Sequence, residues 1–293
     1  MKDAILSFFD SWSLFSHTYI SGWLIAIALA QIGCLVIARN QAFLGAAVAQ
    51  ASAGGVAIAI WVSAVFGVAW LAPSEGDISH PAHTAAAIIV ACLASFAGLL
   101  RGRAGDTATT WFFLLGGCVP MLLLAHHPHG LEEVNRLFAS TLIGATATDV
   151  WMFSVLAAVV ALALAIWRRH VCLVVLDPTF ASAAGISVAW WSGGMALALG
   201  IGLGLSIASA GTLYSFGCLV LPALIARSWC RTLGMTFIAA PLIALMVAII
   251  AFVWANDSDL PPGQMAVALL GCVLVAGQMF RGFIALGRQI MRR

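Results

Sequence analysis

The chain has 293 residues, 63% of them hydrophobic and only 8% charged, with a net charge of +2. A soluble domain carries about 25% charged residues, so this composition cannot cover a water-exposed surface, and soluble enzymes and nucleic-acid binders are excluded. What remains is an all-α, polytopic membrane bundle, because in lipid every backbone polar group must be satisfied within its own helix or a closed barrel.

The opening "MKDAILSFFDSWSLF" places Asp3 and Asp10 around an apolar run of six residues, unlike a secretory signal. Residues 1–18 are therefore expected to form a retained interfacial segment ahead of a transmembrane domain, 19–281, and a basic tail, 282–293. A crossing helix needs about 20 apolar residues. Stretches with few or no charges fall at about 19–38, 43–72, 84–100, 109–125, 150–167, 189–208, 212–226, 232–255 and 263–280, which predicts eight to nine spans. The second is long enough to tilt or to break near Gly54 and Gly55. The seventh is short and contains Pro222. Gly200 and Gly204 form a G-x-x-x-G, and Ala47, Ala51 and Gly55 repeat every four residues, a pattern that lets helices approach closely.

Between the fourth and fifth spans, "LFASTLIGATA" (137–147) is apolar but too short to cross. Either a re-entrant half-helix lining a cavity or a helix lying on the bilayer accounts for it. The preceding "AHHPHGLEE" (125–133) offers His126, His127 and His129 as a weak metal relay, or as ordinary loop decoration. Seven cysteines are scattered without a C-x-x-C pair, so they are expected to be buried apolar side chains rather than a disulfide or zinc framework.

Alternate loops differ sharply in charge. One set carries eleven arginines (39, 101, 103, 168, 169, 227, 231, 281, 288, 292 and 293), and the other only Lys2 and Arg136. The positive-inside rule then predicts an external N-terminus and a cytoplasmic C-terminus. Most carboxylates and histidines, Asp149 among them, fall on the external side. Such a mouth raises the local cation concentration, although acidic residues also simply avoid the arginine-rich side.

The loop after the fifth span reads "VLDPTFASAAGIS" (175–187). Asp177 suits an N-cap, Pro178 the first helical position and Gly185 the residue after the last turn, which predicts a short helix over 178–184 on the cytoplasmic side. Phe180 and the alanines give it an apolar face. Either a groove on a partner or the bundle's own end would cover that face. The sequence has no phosphate-cradling G-x-x-x-x-G-K-[ST], no H-E-x-x-H and no G-x-S-x-G, and its spans hold almost no ionisable residues. A chain of this kind that moves a solute uphill draws its energy from outside itself. A secondary, ion-coupled carrier would need ionisable residues in the spans. A scaffold or intramembrane enzyme would need a polar cluster at one depth.

These residues carry a resemblance. "LDPTFASAAGI" resembles the D-P-x-F-A-x-A-x-G-[LI] signature of the zinc/manganese-type metal-ion ABC transporter permeases. "IARNQAFLGAAVAQASAGGVAIA" (37–59), "NRLFASTLIGATATD" (135–149), "GCLVLPALIAR" (217–227) and "DLPPGQMAV" (259–267) are similar to four further segments of that family, in the same order. The resemblance spans about residues 19–280. It implies a transport subunit of the bacterial inner membrane that is not itself an enzyme, pairs with a second copy of itself and works with a cytoplasmic ATPase that binds ATP. It also implies an external substrate-binding protein and a divalent cargo, zinc first and manganese second. Asp177, Pro178, Phe180, Ala181, Ala184 and Gly185 would engage the ATPase; Ala46, Gln50, Ser52 and Asp149 are the pathway positions.

The first segment departs from the family. Its usual Asp and His, one turn apart on one helical face, are Ala46 and Gln50 here. Three explanations stay open: the ion is handled elsewhere, including at the external histidines; the cargo is another ion or a chelate; or coupling has diverged.

Overall fold

The structure is a computed structural model that describes residues 2–66, 81–100, 103–125, 130–138, 142 and 144–290. Ten helices follow in order: α1 (Lys2–Ala38), α2 (Ala42–Phe66), α3 (Pro81–Ala97), α4 (Arg103–Leu124), α5 (Gly130–Phe138), α6 (Ala147–Leu176), α7 (Pro178–Ala183), α8 (Val188–Trp229), α9 (Leu233–Asp257) and α10 (Pro262–Ile290). Among the described residues, seven are long and apolar enough to cross a membrane, and α3 is a shorter apolar helix.

α1 continues without a break from Lys2, so the residues expected to form an interfacial segment are helical and continuous with the first crossing helix. At about 1.5 Å per residue its 37 residues span roughly 55 Å, well beyond a hydrocarbon core of about 30 Å. The overhang is anchored: Phe8 stacks on Tyr19 at 4.6 Å, and Ser11 Oγ and Tyr19 Oη both donate to Asn256 Oδ1 near the end of α9. α2 is one unbroken helix through Gly54 and Gly55, which serve close packing instead of a break. Likewise α10 carries the helix as far as Ile290, into the stretch expected to be a tail.

α8 has 42 residues and a single non-helical residue, Gly211, at φ 73° and ψ 169°. A non-glycine residue is rarely stable there. Near one end of α8, Ser192 Oγ accepts from Arg39 Nη2 at 2.7 Å; near the other, Arg227 Nη1 donates to Ile37 O at 2.6 Å. A straight helix would separate positions 192 and 227 by about 50 Å. Both lie at the end of α1, so the chain folds back at Gly211 into two crossings, α8a (188–210) and α8b (212–229). The two expected spans, 189–208 and 212–226, are this pair, and the second is completed by its extension to Trp229.

α8 is the centre of the bundle and packs on α1, α2, α3, α9 and α10. Positions 200 and 204 of the G-x-x-x-G bring α8a against Cys92 and Ile88 of α3. The largest fully buried side chains include Tyr214, Phe153, Phe252, Leu203 and Ile207. Tyr214 donates to Gly22 O at 2.8 Å, which satisfies its hydroxyl in the core. The short helix between α4 and α6 overlaps the apolar run 137–147 only at Leu137 and Phe138, and residues 139–141 and 143 of that run lie outside the described residues. The helix is α5, and its Leu137 is buried with Val56, Ile60 and Leu124 inside the bundle. The lipid-facing helices are less buried: 17% of the apolar window of α6 is covered, against 78% for α2.

Candidate functional site

α7 forms because its ends are specified by side chains. Asp177 Oδ1 accepts from the amides of Thr179 (3.0 Å) and Phe180 (2.9 Å) and from the Thr179 hydroxyl. Pro178 takes the first helical position, where no N–H is needed. At the far end Ala184 N donates to Phe180 O, Ile186 N to Ala181 O, and Gly185 adopts φ 79°. The Asp177 carboxyl is held below its usual range, first by the Thr179 hydroxyl and next by the Phe180 amide. Ala181 is fully buried, while Phe180 is 59% exposed and Pro178, Ala184 and Gly185 are exposed. The helix therefore sits on the bundle by one alanine, against α6 and α8, and holds an aromatic ring away from it.

The pathway candidates on α2 divide between two faces. Ala46 and Gln50, half-buried, lie one turn apart on the same side of the helix. There α4 comes extremely close: a Cβ at Gly116 would stand 2.4 Å from the Gln50 carbonyl carbon and 2.5 Å from Ala51 N, and one at Gly117 would stand 3.7 Å from Gln50 Oε1. Ser52 is on the opposite side. It shares a face with Gly45, seven residues earlier, whose position is packed by Leu219 of α8b. Ser215 lies one turn from Leu219 on α8b, so the two serines line the same α2–α8 seam.

Their hydroxyls are unusual. A buried helical serine normally donates to a carbonyl three or four residues back, as Ser63 does to Ile60 O and Ser206 to Gly202 O, both at 2.6 Å. Ser52 Oγ, Ser215 Oγ and Gln50 Oε1 are all buried without a protein partner. An unmade hydrogen bond at such a group costs about 1–3 kcal/mol, a cost relieved when water or a passing ion supplies the contact. These donors are neutral oxygens. They can hold water or weakly coordinate a hard cation, and they offer nothing to a soft one.

Asp149 does not join them. Thr146 N and Oγ1 both donate to its Oδ2 at 2.8 Å in a capping box that starts α6, and Ser209 Oγ donates to Oδ1 at 3.4 Å, beside the turn at Gly211. Its carboxylate ties α6 to the fold-back of α8. His126, His127 and His129 lie outside the described residues, and among the described residues no group of three or more His, Cys, Asp or Glu could hold a metal ion. Sequence reading passed over Ser209, Gly211 and Ser215. The available signal was a run of polar and small residues, "SAGTLYS", inside an otherwise apolar 40 residues.

Comparison with known proteins agrees with this architecture. A "Probable metal transport system membrane protein" of Chlamydia muridarum is 20% identical over 246 residues, covering 84% of this chain and 82% of that protein. The manganese transport system membrane protein MntC of Halalkalibacterium halodurans is 24% identical over 276 residues, covering 93% and 88%. In three dimensions the fold is similar to PsaBC from Streptococcus pneumoniae, solved in complex with Fab, with a TM-score of 0.76 at 17% identity over 93% of this chain and 95% of that one. Residues 11–281, nearly the whole bundle from the overhang of α1 to the body of α10, match the ABC 3 transport family, and the chain belongs to that family.

Proposed function

We propose that this chain is the permease subunit of an importer for divalent metal ions, driven by a separate ATPase and fed by an external binding protein. The observation that carries the reading is α7: a fully capped helix that places Phe180 outward, on a family member with no nucleotide-binding loop of its own. ATP binding by the ATPase would push α7. α7 leads through Ser187 into α8a, and α8a meets α6 through Ser209 and Asp149 and α1 through Arg39. In this reading the Arg39 end faces the cytoplasm and the Asp149 end faces outward. The cargo would pass between two copies of the chain.

For the cargo, manganese moves ahead of zinc. The oxygens of Gln50, Ser52 and Ser215 suit a harder ion, and the relative from Halalkalibacterium halodurans carries manganese in its name. A chelated metal is the second reading, favoured by Ala46 and Gln50 standing where the family places a carboxylate and an imidazole. Reconstitution with the ATPase and binding protein in proteoliposomes tests both. The expected result is ATP hydrolysis and uptake stimulated by manganese more than by zinc. Uptake that proceeds without the ATPase would overturn the importer reading, and stimulation only by chelated metal would select the second cargo.

A further inference from the structure

We infer that the corner between α8b and α9 binds the phosphate headgroup of an anionic phospholipid. A cavity of about 300 Å³ opens there, at the Arg39 end of the bundle. It is walled by Cys34 and Ile37 of α1, Leu176 at the end of α6, Arg227 of α8b, Arg231 in the link between α8b and α9, and Leu233 at the start of α9. Two arginines line it and no carboxylate does.

The donors are arranged for an anion. Arg227 uses Nη1 for Ile37 O (2.6 Å) and Asn40 Oδ1 (3.1 Å), which fixes the guanidinium plane and leaves Nε and Nη2 as its remaining donors. Arg231 is exposed at the mouth. α9 begins at the cavity wall. Thr232 caps it by accepting from Met235 N at 3.3 Å, and Thr236 N reaches Thr232 O. The amides of Leu233 and Gly234 precede the first intrahelical bond and stay available. A helix N-terminus joined to two guanidinium groups is a phosphate-binding arrangement.

The surroundings select a lipid. Leu176, in the cavity wall, is 68% exposed, so an acyl chain has an apolar surface to follow. Basic pockets between spanning helices recognise anionic headgroups in this way. The site also touches the ends of α1, α6, α8b and α9 together. An occupant there would brace the end of the bundle from which α7 departs, whichever metal is carried.

The test uses the purified full chain in detergent, titrated with dioctanoyl phosphatidylglycerol, dioctanoyl phosphatidylcholine or inorganic phosphate, and read by native mass spectrometry and thermal unfolding. Phosphatidylglycerol should bind and raise Tm; phosphatidylcholine should not. Arg231→Gln should weaken phosphatidylglycerol binding roughly five- to tenfold, and Arg231→Lys should retain most of it. Equal binding of the two lipids, or unchanged binding in Arg231→Gln, overturns the site. Saturation by inorganic phosphate alone makes it a free-anion site and overturns the lipid. Protection of Arg231 only when the ATPase is added assigns the corner to a protein interface instead. Should Arg231→Gln fail to fold, the contrast between the lipids on the unmodified chain and the Arg231→Lys variant still decides.

Discussion

α7 and the Gln50 region of α2 are both short stretches on which transport is proposed to depend, and they are built in opposite ways. In α7 the helix ends are satisfied, the carboxylate of Asp177 has three donors, and the apolar ring of Phe180 is left outside. Around Gln50 the packing of α4 on α2 is complete to the point of backbone contact, and it is a polar atom, Gln50 Oε1, that lacks a partner. A surface that is finished except for an exposed aromatic suits the proposed contact with another protein. A seam that is tight except for one unpaired oxygen suits the proposed passage of something small and polar.

The largest expected effect comes from wedging the seam. Gly116→Leu has to push α4 away from the backbone of α2, and overpacking of this kind costs up to about 3 kcal/mol or more. Size-exclusion profiles and denaturation in detergent should show loss of the folded bundle; a variant that purifies and unfolds like the parent would mean that α2 and α4 are not in the described contact. Next, Phe180→Asp should cut ATPase affinity by at least about tenfold while leaving the thermal stability of the chain itself nearly unchanged. Phe180→Tyr should be close to neutral in the same pull-down. If Phe180→Asp binds normally, the exposed ring is not a contact.

A gain of function sharpens the other side of the comparison. Ala46→Asp with Gln50→His restores a carboxylate and an imidazole one turn apart on the face toward α4. Calorimetry should then register zinc or manganese binding roughly tenfold tighter than the parent. No change would place the cargo path elsewhere, with the α2–α8 serines as the next candidates.

The smallest effect is local. Asp177→Asn removes the charged acceptor that caps α7, and amide exchange at Thr179 and Phe180 should quicken a few-fold. The same capping contribution depends on pH. Because the folded carboxyl titrates below its ordinary value of 3.8, the contribution is fully present above that value and is lost as pH falls through the lowered one. Exchange at these two amides that stays flat across the acid range would show that the Asp177 charge is not what holds them.

The two regions were also unequally legible. For α7, each cap is a local event between residues one to four apart, so Asp177, Pro178 and Gly185 specify the helix in the sequence itself. The nine apolar stretches were legible for the same reason, since spanning length is a property of a continuous segment. The fold-back of α8 was visible only as two runs with a gap of three residues; that Gly211 alone makes the reversal depends on one backbone dihedral. Partner choice was not legible. Asp149 reads as an acidic residue at an external boundary, and its role in capping and in holding Ser209 follows from a contact 60 residues away. Ser52 and Ser215 are ordinary small residues until their neighbours are known, because only packing shows that neither hydroxyl finds a carbonyl.

The reversal at Gly211 also bears on how the protein enters the bilayer. α8a and α8b are joined by one residue, so there is no loop between them to be carried across, and no charged segment whose retention could orient one crossing without the other. The pair must insert as a single hairpin with both ends on the side where it started. During synthesis the core of the bundle therefore arrives late and all at once, after α1 to α7 have already emerged. Those earlier helices wait, with the faces meant for α8 still turned toward lipid.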